Sequence, residues 1–222
     1  HNPELVLPEL FGNEEEEPAE TPVAEQFLSY LEERASMLEG VVISGGEPLI
    51  QKDLPDFLRR IRKTGLKIKL DTNGFDPEGL KELIAAGLAD YVALDFKNHK
   101  EALPRTIGLD GRKNKSRAEA FSANWEKSLS LLRGSSVPYE LRTTVVREFH
   151  SEIDLHRMAE QIAGVHGGRG GDPWFLQCYS GNGKTLAQYE DPSMKMTAYS
   201  KEEWDTLIRI LSKRIGGLKS RN

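Results

Sequence analysis

The chain has 222 residues, 38% hydrophobic and 29% charged, with a formal net charge of −5. This suits one globular domain with a sizeable core, and the negative balance offers no basic footprint for nucleic acid. No run of about 18 apolar residues could span a membrane and no charged-then-apolar signal peptide opens the chain. A single cysteine, Cys178, excludes an internal disulfide, so a cytoplasmic protein is expected.

Residues 1–20 carry no period, and the acidic run Glu14 to Glu17 beside Pro18 reads as a solvated surface loop. Thr21-Pro22 is a helix start, after which Phe27, Leu28, Leu31, Ala35 and Leu38 fall on one helical face and Gly40 ends it. The β-branched Val41, Val42 and Ile43 then make a short buried strand, followed by Ser44-Gly45-Gly46-Glu47-Pro48-Leu49. Asp53 opens a helix with Leu54, Phe57, Leu58 and Ile61 inward and Gly65 at its end. Leu66 to Leu70 alternates as a strand does. Asp76-Pro77 starts a helix with Leu80, Leu83 and Ile84 inward and Gly87 at its end. Tyr91 to Phe96 is the third strand.

From 98 to 116 the pattern lapses, which predicts an insertion or lid. A helix follows over about Ala118 to Arg133, then a strand over Tyr139 to Val146. Ser151 caps a helix carrying Leu155, Met158, Ala159 and Ile162, and Trp174 to Cys178 is the last strand expected. Ser200-Lys201-Glu202-Glu203 is a capping box opening a C-terminal helix over 200–215. Strands and helices thus alternate five times in one α/β domain covering 1–222, so the strands pair in parallel. Periodicity alone leaves an open doubly wound sheet and a partial barrel equally open.

In either architecture a ligand sits at the carboxyl ends of the strands. Gly45, Gly46 and Glu47 stand at the first end, with Pro48 pushing Glu47 out of the α region. Backbone carbonyls and a carboxylate there suit a cation such as an ammonium; a tight turn with a solvated Glu fits the same residues. Asp71, Thr72 and Asn73 end the second strand, Asp95 and Lys97 the third, Arg142 and Thr144 the fourth, and Gln177 the fifth. Asp71 and Asp95 end neighbouring strands and repel unless a cation or proton lies between them.

The motifs Gly45-Gly46-Glu47-Pro48, Asp71-Thr72-Asn73-Gly74 and Leu94-Asp95-Phe96-Lys97, in that order, resemble those of radical S-adenosylmethionine (SAM) enzymes. Within that superfamily the chain is most similar to activating enzymes of glycyl-radical enzymes, in the branch like the anaerobic ribonucleotide reductase activating protein. The resemblance implies a partial (β/α)6 TIM-like barrel of the radical SAM type. It implies SAM and a [4Fe–4S] cluster as cofactors, with Gly45, Gly46 and Glu47 on the methionine amino group. Asp95 and Lys97 then lie near the ribose and methionine, Arg142 suits the SAM carboxylate, and Gln177 stands where relatives can place a His against SAM. Asp71, Thr72 and Asp95 would ring a monovalent cation. The cluster is reduced by a donor such as flavodoxin or ferredoxin. Cleavage of SAM then yields a 5′-deoxyadenosyl radical that takes a hydrogen from a glycine of the partner enzyme.

In that family a C-x-x-x-C-x-x-C loop binds the cluster, and His-Asn-Pro-Glu follows its last cysteine. This sequence begins at His1-Asn2-Pro3-Glu4. The cluster ligands, and one barrel strand before them, are therefore expected upstream of His1. Two other readings stand beside this one: a cluster-less module that binds SAM or a partner, and a radical SAM enzyme acting on a small molecule, such as a deazapurine-forming synthase. Gly181-Asn182-Gly183-Lys184-Thr185 lacks the first glycine of a phosphate-binding loop, and Gly167 to Gly171 reads as a flexible loop. His150, His156 and His166 read as structural or surface residues, Cys178 as a buried small apolar residue, and Trp125, Trp174 and Trp204 as core.

Overall fold

The structure, a computed structural model, describes residues 23–109, 114–164, 171–181, 193, 195–213 and 215–221. The Glu14 to Glu17 run, the Thr21-Pro22 helix start and most of the two glycine-rich stretches lie outside the described residues.

Short segments rich in β-branched and aromatic residues form β1 (Gly40–Ile43), β2 (Lys67–Thr72), β3 (Tyr91–Asp95), β4 (Tyr139–Val145) and β5 (Trp174–Cys178). A sixth strand, β6 (Leu218–Arg221), joins them and was not expected from the sequence. Its four residues are mostly exposed, so it carries little alternation to read. The C-terminal helix correspondingly ends at Ser212. The helices are α1 (Val23–Arg34), α2 (Leu54–Lys63), α3 (Pro77–Ala85), the short α4 (Leu103–Thr106), α5 (Lys115–Gly134), α6 (Glu152–Gly164) and α7 (Lys201–Ser212). The short α4 lies within the stretch read as an insertion.

All five strand pairings are parallel, and the order in the sheet is β1-β2-β3-β4-β5-β6. An order without reversal is barrel winding; a doubly wound sheet reverses direction at a switch point. Among the described residues β1 and β6 do not pair with each other, so the barrel is partial.

Several helix starts follow local chemistry. Asp76 accepts from the Gly79 N–H at 3.0 Å ahead of Pro77. Ser200 and Glu203 complete the capping box in both directions. At α6, the Asp154 N–H donates to Ser151 Oγ at 3.2 Å, and the Ser151 N–H donates back to the Asp154 carboxylate at 2.9 Å.

Period-two alternation gives the sheet two unlike faces. Ile68, Leu70, Val92, Leu94, Leu141, Val145, Trp174 and Leu176 are buried in one core with the helices. Phe96 stacks on Trp125 with centroids 4.3 Å apart, and the Trp174 indole donates to Thr143 Oγ1 at 2.9 Å. Residues of the other parity, among them Lys69, Asp71, Tyr91, Asp95, Glu140 and Arg142, point to the concave face.

Gly74, just past β2, has φ +75°, and a Cβ there would lie 2.5 Å from Leu94 Cδ1 and 3.2 Å from Trp125 Cδ1. Its carbonyl accepts from the buried Ser128 hydroxyl at 2.8 Å. Gly74→Ala therefore combines left-handed strain with overpacking and should cost on the order of 2–4 kcal/mol in urea unfolding. Gly87→Ala, with φ +65° but nothing within 4 Å of the new Cβ, should cost clearly less.

Candidate ligand site at the carboxyl ends of the strands

A depression with two lobes opens at the carboxyl ends of β1 to β5. The first lobe, ≈ 430 Å³, is lined by Gly45, Gly46, Glu47, Asp71, Thr72, Asn73, Asp95, Lys97 and Arg142, together with Val42 and Ser44. The second, ≈ 380 Å³, shares Ser44, Asp71, Asp95, Lys97 and Arg142 with it and adds Thr144, Gln177, Cys178, Tyr179 and Ser180.

At the first rim the chain turns on Gly45, whose φ of +146° suits a residue without a side chain. Glu47 does not project into solvent. Its carboxylate accepts from Thr72 Oγ1 at 2.7 Å, the Asn73 N–H at 2.6 Å and the Leu49 N–H at 3.3 Å. Burial pushes this carboxyl above its usual value, and the three donors only partly oppose that. Glu47 thus ties the end of β1 to the end of β2.

The centre of the site is a row of alternating charge. Arg142 donates through Nη1 to Asp71 Oδ2 at 3.0 Å and through Nε to Asp95 Oδ1 at 2.9 Å. Lys97 Nζ donates to Asp95 Oδ2 at 2.7 Å. Burial alone would raise the Asp95 carboxyl, but the Lys97 and Arg142 charges outweigh it and hold that carboxyl below its usual value. The cation demanded by the neighbouring carboxylates is the Arg142 guanidinium. The Thr72 hydroxyl turns away from them to Glu47, so Asp71, Thr72 and Asp95 do not converge through their side chains. Asp71 Oδ1 is buried without a hydrogen-bond donor, and its near cation is Lys69 Nζ at 3.8 Å.

Two supporting residues are not among the candidate site residues read from the sequence. His150 is 2% exposed, and its Nε2 lies 2.8 Å from the Lys97 carbonyl oxygen. Its Nδ1 accepts from the Val146 N–H at 3.1 Å, so the neutral imidazole with its proton on Nε2 holds the loop that carries Lys97. Burial pushes this imidazole below its ordinary value of 6.5, more than its backbone partners raise it. Lys69, two residues before Asp71 on the same strand face, was legible from the alternation. His99 lies outside the lobes, buried between Glu101 and Asp154 at 2.8 and 3.0 Å.

The residues present fit SAM in charge. Acidic groups, one with an acceptor oxygen lacking a donor, suit its ammonium and sulfonium, and Arg142 and Lys97 suit its carboxylate. They do not fit a [4Fe–4S] cluster. Three thiolates are needed, the sequence contains one cysteine, and the described residues include no group of three or more His, Cys, Asp or Glu able to hold a metal. Among the described residues no helix is long and apolar enough to cross a membrane.

The sequence profile of the Radical SAM superfamily matches residues 9–153. The "Putative glycyl-radical enzyme activating enzyme" of Methanocaldococcus jannaschii is 34% identical over 125 residues, covering 56% of this chain and 50% of that protein. This chain spans half or less of the length of the curated relatives it matches. Among solved structures, a domain of pyruvate-formate lyase-activating enzyme from Bacteroides vulgatus superposes with a TM-score of 0.57 at 20% identity, over 82% of this chain and 99% of that one. SuiB of Streptococcus suis bound to S-adenosylmethionine superposes with a TM-score of 0.59 at 13% identity, over 94% of this chain and 45% of that one. At these identities the likeness carries the fold.

Removing the Glu47 acceptor strands the Asn73 N–H. Glu47→Leu should lose about 1–3 kcal/mol in urea unfolding. Glu47→Gln, which still accepts from Asn73 and can donate to a rotated Thr72 hydroxyl, should lose much less. Equal stability of the Leu variant and the parent would mean a solvated rim residue.

His150 gives a pH test. Its folded pKa is lowered, so the folded state favours the neutral ring and the unfolded chain binds the extra proton below about 6.5. Stability should therefore fall as the pH drops from 7 to 5. His150→Gln, which keeps an acceptor and a donor, should flatten that slope relative to the parent.

Proposed function

This chain belongs to the radical SAM superfamily, and on that premise we propose that it forms the SAM-binding body of a radical SAM enzyme that activates a glycyl-radical enzyme. The observation that carries the reading is the charged row Asp71–Arg142–Asp95–Lys97 beside the Gly45–Glu47 rim, all on one depression at the strand ends.

In this assignment the rim's backbone carbonyls take the methionine ammonium, while Glu47 holds the rim in shape from behind. Lys97 and Asp95 support the ribose and methionine, Arg142 offers a bidentate partner to the carboxylate, and Gln177 lines the neighbouring lobe. Asp71, with its unsatisfied oxygen, faces the sulfonium side or a monovalent cation. SAM supplies the 5′-deoxyadenosyl group and methionine as cleavage products. The ligands of the [4Fe–4S] cluster come from protein outside these 222 residues, and the electron comes from a flavodoxin- or ferredoxin-like donor. The Methanocaldococcus relative supports a glycyl-radical enzyme as partner, and an anaerobic ribonucleotide reductase-like enzyme is the partner we propose.

The single cysteine favours one other reading, a SAM- or partner-binding module without a cluster. Anaerobic iron–sulfide reconstitution of this chain beside a form extended upstream in its reading frame separates the two. The proposed function expects a [4Fe–4S] EPR signal that shifts with SAM in the extended form. It expects equal yields of methionine and 5′-deoxyadenosine after reduction, and a glycyl signal once the partner is added. SAM binding without cluster or cleavage in either form would hand the assignment to the module. Cleavage that marks no partner glycine would point to a small-molecule substrate.

A further inference from the structure

The charged row does not stop at Asp71. Lys69 Nζ lies 3.8 Å from Asp71 Oδ1 and 3.3 Å from Glu140 Oε1. The Glu140 side chain is only 1% exposed, and on its far side Arg221 of β6 grips it with Nη1 to Oε1 at 2.9 Å and Nη2 to Oε2 at 2.5 Å. The Tyr91 hydroxyl donates to Oε2 at 3.0 Å. The Arg221 guanidinium sits 3.9 Å over the centroid of the Phe175 ring, which fixes the direction of its approach. From Lys97 to Arg221 the charges alternate without a break across β2, β3, β4 and β6.

We propose that Arg221 is a positioning residue for the ligand site, acting through Glu140 on the cations Lys69 and Arg142. A buried carboxylate must keep cationic or hydrogen-bonding partners. Glu140 and Arg142 are two residues apart on one strand and point to the same face. While Arg221 satisfies Glu140 with two bonds, Arg142 is left to bridge Asp71 and Asp95. Without Arg221, Glu140 draws Lys69 wholly onto itself and competes for Arg142, and Asp71 and Asp95 lose the charge between them. The last strand therefore sets the geometry of a site to which it contributes no lining residue. The inference rests on the proposed function only for the identity of the ligand, SAM.

Three variants of the full 222-residue chain test it: Arg221→Met, which keeps an apolar stem over Phe175; Arg221→Lys; and the double variant Arg221→Met with Glu140→Gln. One readout needs no ligand: hydrogen exchange of the Arg142 Nε–H, assigned by its loss in Arg142→Lys. The other is calorimetric titration with SAM. Arg221→Met should speed that exchange and weaken SAM binding by about tenfold, the scale of one charged hydrogen bond. Arg221→Lys, a point charge without the fork, should fall between. Neutralising Glu140 removes its demand for a cation, so the double variant should return both readouts close to the parent. Unchanged exchange in Arg221→Met, or a double variant no better than the single, overturns the proposal. The titration is repeated on the upstream-extended, cluster-loaded form: failure of both forms to bind SAM defeats the proposed function, while the Arg142 exchange still decides the role of Arg221.

Discussion

Two carboxylates at the ends of adjacent strands cannot both stay ionised unless positive charge stands between them, and in this chain Arg142 supplies it. One guanidinium, reaching across from β4, bonds to Asp71 of β2 and Asp95 of β3. It draws three strand ends to one point and sets where the opening lies. The ordering is electrostatic as well as geometric: Asp95 is partly buried, and the Lys97 and Arg142 charges hold its carboxyl below its usual value against that burial. A ligand that binds there with its own ammonium and carboxylate exchanges partners within an already alternating set and need not bring charge into an apolar cavity.

That arrangement depends on the two faces of the sheet being unlike. The face toward the helices holds Ile68, Leu70, Leu94, Leu141 and Trp174, all nearly inaccessible, and provides the hydrophobic stabilisation. The concave face is freed from that task. It can carry a continuous polar row from Lys97 to Arg221 because every buried charge in it meets an opposite one. Glu47 plays the matching part at the rim, spending its carboxylate on Thr72 and Asn73 so that two strand ends are tied together.

Much of the architecture is legible in the sequence. The strand segments over Val41–Ile43, Leu66–Leu70, Tyr91–Phe96, Tyr139–Val146 and Trp174–Cys178 announce themselves by β-branched content and by alternation, and the observed strands lie within a residue or two of them. The Ser200 capping box and the Asp76-Pro77 start are local chemistry and were read as they stand. The sixth strand was not legible, because Leu218-Lys219-Ser220-Arg221 is short and mostly exposed and has no apolar period. Periodicity does not separate barrel from doubly wound sheet, since both alternate strand and helix; the resemblance in the motifs pointed to the barrel, and the strand order, a long-range property, bears it out.

The candidate site divides in the same way. The sequence by itself determined which residues stand at strand ends, because local propensity and period two place Gly45, Asp71, Asp95, Arg142 and Gln177 there without reference to the rest of the chain. It also determined that Asp71 and Asp95 need a cation or a proton between them. Only the tertiary structure decided which cation that is and where Glu47 spends its carboxylate. It alone brought His150 to the Lys97 carbonyl and Arg221 to Glu140, 53 and 81 residues apart in the chain. Pairings of that kind are set by how strands line up in the sheet and how loops fold back over it. Neither leaves a mark in the residues close by in sequence.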